Sequence, residues 1–145
     1  MRELPRKLTS NELAELFEGH TRLVERLAEV DDPLDRADDV LTSSTEDVKI
    51  EALAAHPAIG AKKVSARSAL EQGSDTDPAV LAELRYLNQV YEEKFGFRFV
   101  VFVQSRPRSE ILEVLRDRIG RTREEELETG CRELVAIARD RWTRT

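Results

Sequence analysis

"PAVLAELRYLNQVYEEKFGFRFVVFV", Pro78 to Val103, holds the two readings on which the fold depends. Asp77 and Pro78 suit a helix cap and a first helical position, and Leu81, Leu84, Tyr91 and Phe95 recur at helical spacing with Asn88 among them. Gly96 supplies a left-handed stop. The next seven residues, "FRFVVFV" from Phe97 to Val103, are β-branched and aromatic, so they read as a buried strand or extended segment. No second segment of the chain offers itself as a partner strand.

Working outward, the rest of the chain is helical. Pro107 opens "RSEILEVLRDRIG", and Thr122 with Glu125 makes a capping box for a last helix with the apolar face Leu127, Cys131, Leu134, Ala138 and Trp142. Toward the N-terminus, Leu13, Leu16, Phe17, Val24 and Leu27 suggest one helix from Thr9 to about Glu29, with His20 on its apolar side. The acidic stretch with Pro33 and a Ser/Thr cluster reads as a loop carrying one short helix, Arg36 to Leu41. A further helix begins at Thr45, whose hydroxyl is positioned to cap it. It stops by His56, because Pro57 disfavours helical backbone in the residue before it. "SARSALEQ" is short and helix-prone. The expected architecture is all-α: a single-domain helical bundle over residues 1–145 with one buried extended segment at about 97–103.

Composition narrows the function classes. The chain has 145 residues, 40% of them hydrophobic and 36% charged, which suits one globular domain rich in amphipathic helices. A net charge of -6, with arginines interleaved among glutamates, argues against nucleic acid as a partner, which demands a basic stripe. No stretch has the apolar length of a membrane span, and the N-terminus has no signal-like apolar core, so neither membrane nor export is expected. The lone Cys131 reads as a small buried apolar residue, consistent with a reducing cytoplasm. Two histidines and one cysteine compose no recognisable metal-ligand set.

Several residues could carry chemistry. His56 sits at a forced helix end, where capping by an imidazolium would explain it. It is followed by a short turn containing Gly60 and by Lys62, Lys63 and Arg67, company that suits a small anionic ligand. Ser68 and Glu71 form S-x-x-E, which is a capping-box signature and also a spacing that aims a hydroxyl and a carboxylate from one helix face; Gln72 adjoins them. Asn88, if buried, must find hydrogen-bond partners, either a ligand or neighbouring backbone. Arg106 follows the buried run, where a fixed guanidinium could face a carboxylate or simply lie at the surface.

Taken together, "HPAIG", "SARSALEQ", "LNQVYEEKFGFRFVVFV", "EILEVLRDRIG" and "EELETGCRELVAIARDR", in this order and spacing, resemble the OHCU decarboxylase family of urate degradation. The substrate of that family is 2-oxo-4-hydroxy-4-carboxy-5-ureidoimidazoline. The resemblance implies an all-α fold, commonly a homodimer, that forms (S)-allantoin from a small anionic substrate without cofactor or metal. It assigns the catalytic histidine to His56, the catalytic glutamate to Glu71, the site serine to Ser68 and a signature arginine to Arg106. Pro57, Gln72 and Asn88 complete the expected substrate-binding set. The chain departs from the family pattern at "HTR", His20 to Arg22, at "DPL", Asp32 to Leu34, and at Arg98, where the family commonly has proline. The changes at "HTR" and "DPL" motivate one competing reading, a relative acting on another small cyclic carboxylate; a second is a non-catalytic helical interaction module that keeps the fold without the pocket.

Overall fold

The computed structural model describes residues 3–58 and 77–144. Among them are seven helices and no strand: α1 (Ser10–Phe17), α2 (Arg22–Leu27), α3 (Pro33–Thr42), α4 (Glu46–Ala55), α5 (Pro78–Phe95), α6 (Arg108–Ile119) and α7 (Arg123–Arg144). The long α7 packs along α1, α3 and α4, α2 fills the space among α1, α3 and α4, and α5 lies against α6. The all-α architecture expected from the periodicity is therefore present.

Local capping chemistry sets most helix starts. At α1 the Thr9 hydroxyl accepts from the Glu12 amide at 3.1 Å while the Glu12 carboxylate accepts from the Thr9 amide at 3.0 Å. The same reciprocal box opens α7, between Thr122 and Glu125. Asp77 accepts from the Ala79 amide at 2.9 Å and Pro78 takes the first position of α5, which Gly96 ends at φ 80°.

Four expectations change at the N-terminal end. The stretch from Thr9 to Glu29 is two helices rather than one. Glu18 adopts the left-handed conformation at φ 66° and closes α1, and the Thr21 hydroxyl accepts from the Val24 amide at 3.3 Å to start α2. The break lets Gly19 pass the end of α4, where a Cβ on the glycine would stand 3.5 Å from that of Ala55. It also leaves His20 exposed in the connection instead of on an apolar face. The acidic stretch is more ordered than its composition suggests: Pro33 begins a ten-residue helix whose Leu34, Ala37 and Leu41 are buried. Their i, i+3, i+7 spacing is enough of a stripe once α7 covers it. Finally, Thr45 precedes α4 but makes no side-chain cap, since its hydroxyl donates to Asp47 instead.

The segment Phe97–Val103 is extended and buried except for Arg98 and Phe102, which are half-buried. A strand without a ladder leaves amides and carbonyls to satisfy, and here side chains take the place of a neighbouring strand. Arg118 donates Nη1 to the Val100 carbonyl at 2.8 Å, Glu133 accepts from the Phe102 amide at 3.3 Å, and Arg106 donates to the carbonyls of Phe102 and Val103 at 2.6 and 2.9 Å. Around the run, Tyr91 meets Phe95, Phe97 and Phe99 at centroid distances of 4.6, 6.0 and 5.2 Å, tilted or edge-on. Below it lies Glu126, fully buried, accepting from the Tyr91 hydroxyl at 2.6 Å, from Arg118 Nε at 2.7 Å and from Arg121 Nη1 at 2.8 Å.

Basic side chains also close the helix ends. Arg141 donates to the Leu16 carbonyl in the last turn of α1, Arg98 to Ala54 at the end of α4, Arg123 to Phe95 at the end of α5 and Lys94 to Ile119 at the end of α6. These carbonyls have no partner within their helices, and a cation there also opposes the negative end of the helix dipole. Of these four side chains Arg141 is buried and Arg98 half-buried, while Lys94 and Arg123 stay exposed.

Candidate active site

The candidate site is built around the end of α4. Val48, Ala52 and Leu53 anchor one face of this helix in the core, with Leu53 packed 3.4 Å from where a Cβ on Gly130 of α7 would stand. At His56 the backbone leaves the helix at φ −79° and ψ 131°, the extended conformation that Pro57 demands of its predecessor, while the His56 amide still reaches the Leu53 carbonyl at 3.2 Å. The turn therefore directs the imidazole away from the helix surface, and His56 is only 9% exposed.

Capping does not account for this histidine. The carbonyls of Ala54 and His56 both accept from Arg98 Nη1, at 3.0 and 2.8 Å, so the helix end is closed by a guanidinium from the extended run. The imidazole Nδ1 is buried with no hydrogen-bond partner among the described residues. Burial pushes the His56 pKa down to about 4, with the positive charges of Arg141 and Arg98 adding to the effect and Glu18 opposing it. At neutral pH the side chain is an uncharged imidazole able to accept a proton.

Two residues of this neighbourhood escaped the sequence reading. Arg141, 3% exposed, donates to the Leu16 carbonyl at 3.0 Å and pairs with Glu18 at 3.1 Å, so α7 and the end of α1 meet next to His56. A signal was available: Arg141 falls three residues after Ala138 on the stripe that contains Leu134, and a charged residue at a core position calls for a reason. Glu18 had no such signal, since it approaches only because α1 stops there in a left-handed turn.

The other candidates are distributed as follows. Pro57 is half-buried directly after His56. Asn88 is buried at 6% exposure and donates its amide to the Leu84 carbonyl at 2.8 Å, one turn back on α5. Arg106 folds back onto Phe102 and Val103 through a turn in which Gln104 and Ser105 have φ 52° and 62°. Ser68, Glu71 and Gln72, with Lys62, Lys63 and Arg67, lie outside the described residues. Cys131 is buried and its thiol is pushed up to about 11 by burial, which leaves it protonated and without nucleophilic character. Among the described residues no group of His, Cys, Asp and Glu could hold a metal ion, and no helix is long and apolar enough to cross a membrane.

The OHCU decarboxylase family model matches residues 2–143 of the chain. The chain belongs to the OHCU decarboxylase family. Within that family, a 2-oxo-4-hydroxy-4-carboxy-5-ureidoimidazoline decarboxylase of Halalkalicoccus jeotgali is 31% identical over 100 residues, covering 66% of this chain and 57% of its own length. The uric acid degradation bifunctional protein PucL of Bacillus subtilis is 22% identical, over 97% of this chain and 31% of its own. This chain thus spans just over half of the first relative and about a third of the second. Among solved structures, that of an OHCU decarboxylase in the presence of (S)-allantoin superposes with a TM-score of 0.77 at 23% identity, covering 92% of this chain and 96% of that one. It has the same fold.

Proposed function

We propose that this chain decarboxylates 2-oxo-4-hydroxy-4-carboxy-5-ureidoimidazoline to (S)-allantoin, with His56 as the group that manages the proton. The observation that carries the reading is the buried imidazole at the end of α4, its Nδ1 without a partner among the described residues and its proton affinity lowered by burial, in a member of the OHCU decarboxylase family. A relative of that name and a similar structure determined in the presence of (S)-allantoin support the choice of substrate and product.

The chemistry suits such a site. Breaking the bond to the carboxylate releases carbon dioxide and leaves its electron pair on the ring carbon, from which the adjacent unsaturated ring accepts it. The substrate is its own electron sink, and the work left to the protein is orientation and proton handling. His56 takes or shares the substrate hydroxyl proton. An incoming carboxylate adds negative charge beside the imidazole, raising its proton affinity at the moment it is needed. Arg141 offers the positive field that draws the anion in. Glu71 holds the imidazole or the ureido edge, Ser68 and Arg106 fix polar oxygens, and Pro57, Gln72 and Asn88 line the pocket. Delivery of a proton to one face of the ring sets the handedness of the product. The reading requires no cofactor, and it carries with it a homodimer in the cytoplasm, the arrangement that the family resemblance and the single buried cysteine support.

The test uses freshly generated substrate and follows the optical activity of the allantoin formed. The (S) enantiomer should accumulate faster than the spontaneous reaction allows. His56→Ala and Glu71→Gln should each suppress turnover by at least about 100-fold while circular dichroism stays native. Racemic product at the spontaneous rate from the unmodified chain, or near-normal rates in both variants, would overturn the assignment.

A further inference from the structure

The guanidinium that closes α4 does more than finish a helix. Arg98 reaches across from the extended run, donates Nη1 to the Ala54 and His56 carbonyls and rests its Nε on the Glu92 carboxylate at 3.1 Å. It therefore grips the backbone of the histidine on which the proposed function rests. It also occupies the position an imidazolium would otherwise fill, because exposed carbonyls at a helix C-terminus attract a positive charge.

We propose that Arg98 is a positioning residue for His56: it fixes the backbone from which the imidazole projects and occupies the C-terminal carbonyls of α4 that would otherwise attract an imidazolium. The charged groups facing His56 among the described residues are Arg98 from the extended run, Arg141 from α7 and Glu18 from the end of α1. Glu18, which favours an imidazolium, is paired with Arg141 at 3.1 Å, and Glu92 is paired with Arg98 at 3.1 Å. Removing Arg98 takes away a positive charge and frees two carbonyls at once. Both changes favour protonated His56, so the sign of the effect is determined.

The chain has two histidines, one exposed and one buried, which makes the test direct. The imidazole signals of His56 and His20 are followed by NMR titration in the unmodified chain, Arg98→Met and Arg98→Lys, with His20 as the internal reference. In Arg98→Met the His56 midpoint should rise by roughly half a pH unit or more, and the acid limb of the turnover profile should move with it. Arg98→Lys keeps the charge but not the planar fork, and should restore most of the shift. An unmoved His56 midpoint in Arg98→Met overturns the proposal, and so does a shift that lysine fails to restore, since that would be loss of packing alone. If Arg98→Met does not fold, Arg98→Gln, which keeps a donor without the charge, is judged by the same criteria. The titration reads His56 without substrate. Full activity of His56→Ala would therefore remove the functional reading and leave this result standing, whereas a static midpoint removes this proposal alone.

Discussion

At the scale of single residues, the side chain of His56 is coupled to the stability of the fold through its proton. Its folded pKa of about 4 lies below the value of 6.5 for a free imidazole, because the folded environment excludes water and places positive charge nearby. Between those two values the unfolded chain binds the proton and the folded chain does not, so stability is full above pH 6.5 and declines as the pH falls toward 4. The loss amounts to roughly 3 kcal/mol across the window. Denaturant unfolding at a series of pH values, in the unmodified chain and in His56→Asn, should show the difference between the two shrinking by this amount from pH 6.5 to 4. Parallel curves would contradict it. Asp31, Glu46, Asp47 and Glu125 carry lowered pKa values through hydrogen bonds to Lys7, Arg123, Thr45 and the Thr122 backbone respectively, and they lose their contribution only at more acid pH, in both proteins alike. That His56 would stand at a helix end was legible from Pro57 alone. That it would be neutral was not, because burial in the completed core, aided by Arg141 and Arg98 from distant parts of the chain, sets its proton affinity.

At the scale of elements, the extended run shows what satisfies its backbone where the described residues offer no second strand. Its composition announces burial, and its backbone is satisfied by Arg118, Glu133 and Arg106. Glu126 is the centre of this arrangement, with three donors on a carboxylate that has no contact with solvent. Truncating it leaves the Arg118 guanidinium and the Tyr91 hydroxyl buried without their acceptor. Glu126→Ala should therefore cost about 3–5 kcal/mol. Urea denaturation measures it, and a loss below about 1 kcal/mol would show that the network is not what holds the run in place. The capping boxes at Thr9 and Thr122 and the stop at Gly96 were readable because each is complete within a few residues. The division between α1 and α2 was not, since Leu13, Leu16, Phe17, Val24 and Leu27 are in phase for one helix and the left-handed turn at Glu18 brings Gly19 against Ala55 only in the folded chain.

At the scale of the whole molecule, α7 is the element against which α1, α3 and α4 pack, and it brings Arg141 to the same end as His56. The ends of the chain are joined as well, the Trp142 indole donating to the Glu3 carbonyl at 2.8 Å. Packing and site are then one problem. Leu53, fully buried on α4 against Gly130 of α7, lies one turn before His56. Leu53→Ala should lower stability by about 2–5 kcal/mol, and turnover should fall more than the folded fraction does, because the end of α4 loses its seat. Measuring both at a temperature where the variant remains folded separates the two, and unchanged turnover per folded molecule would show that the site does not depend on this contact.

Helix class, most helix boundaries, the buried extended run and the expulsion of His56 from α4 were determined by the sequence itself, because caps, glycine stops, proline sterics and apolar spacing act over a handful of bonds. The proton affinity of that histidine, the partners of the extended run and the break before α2 were decided only by the tertiary structure. Each depends on charges or backbones far apart in the chain, as Arg98 is from His56 by 42 residues. Removal of solvent between them, which only the completed fold achieves, is what makes such distant charges strong enough to matter.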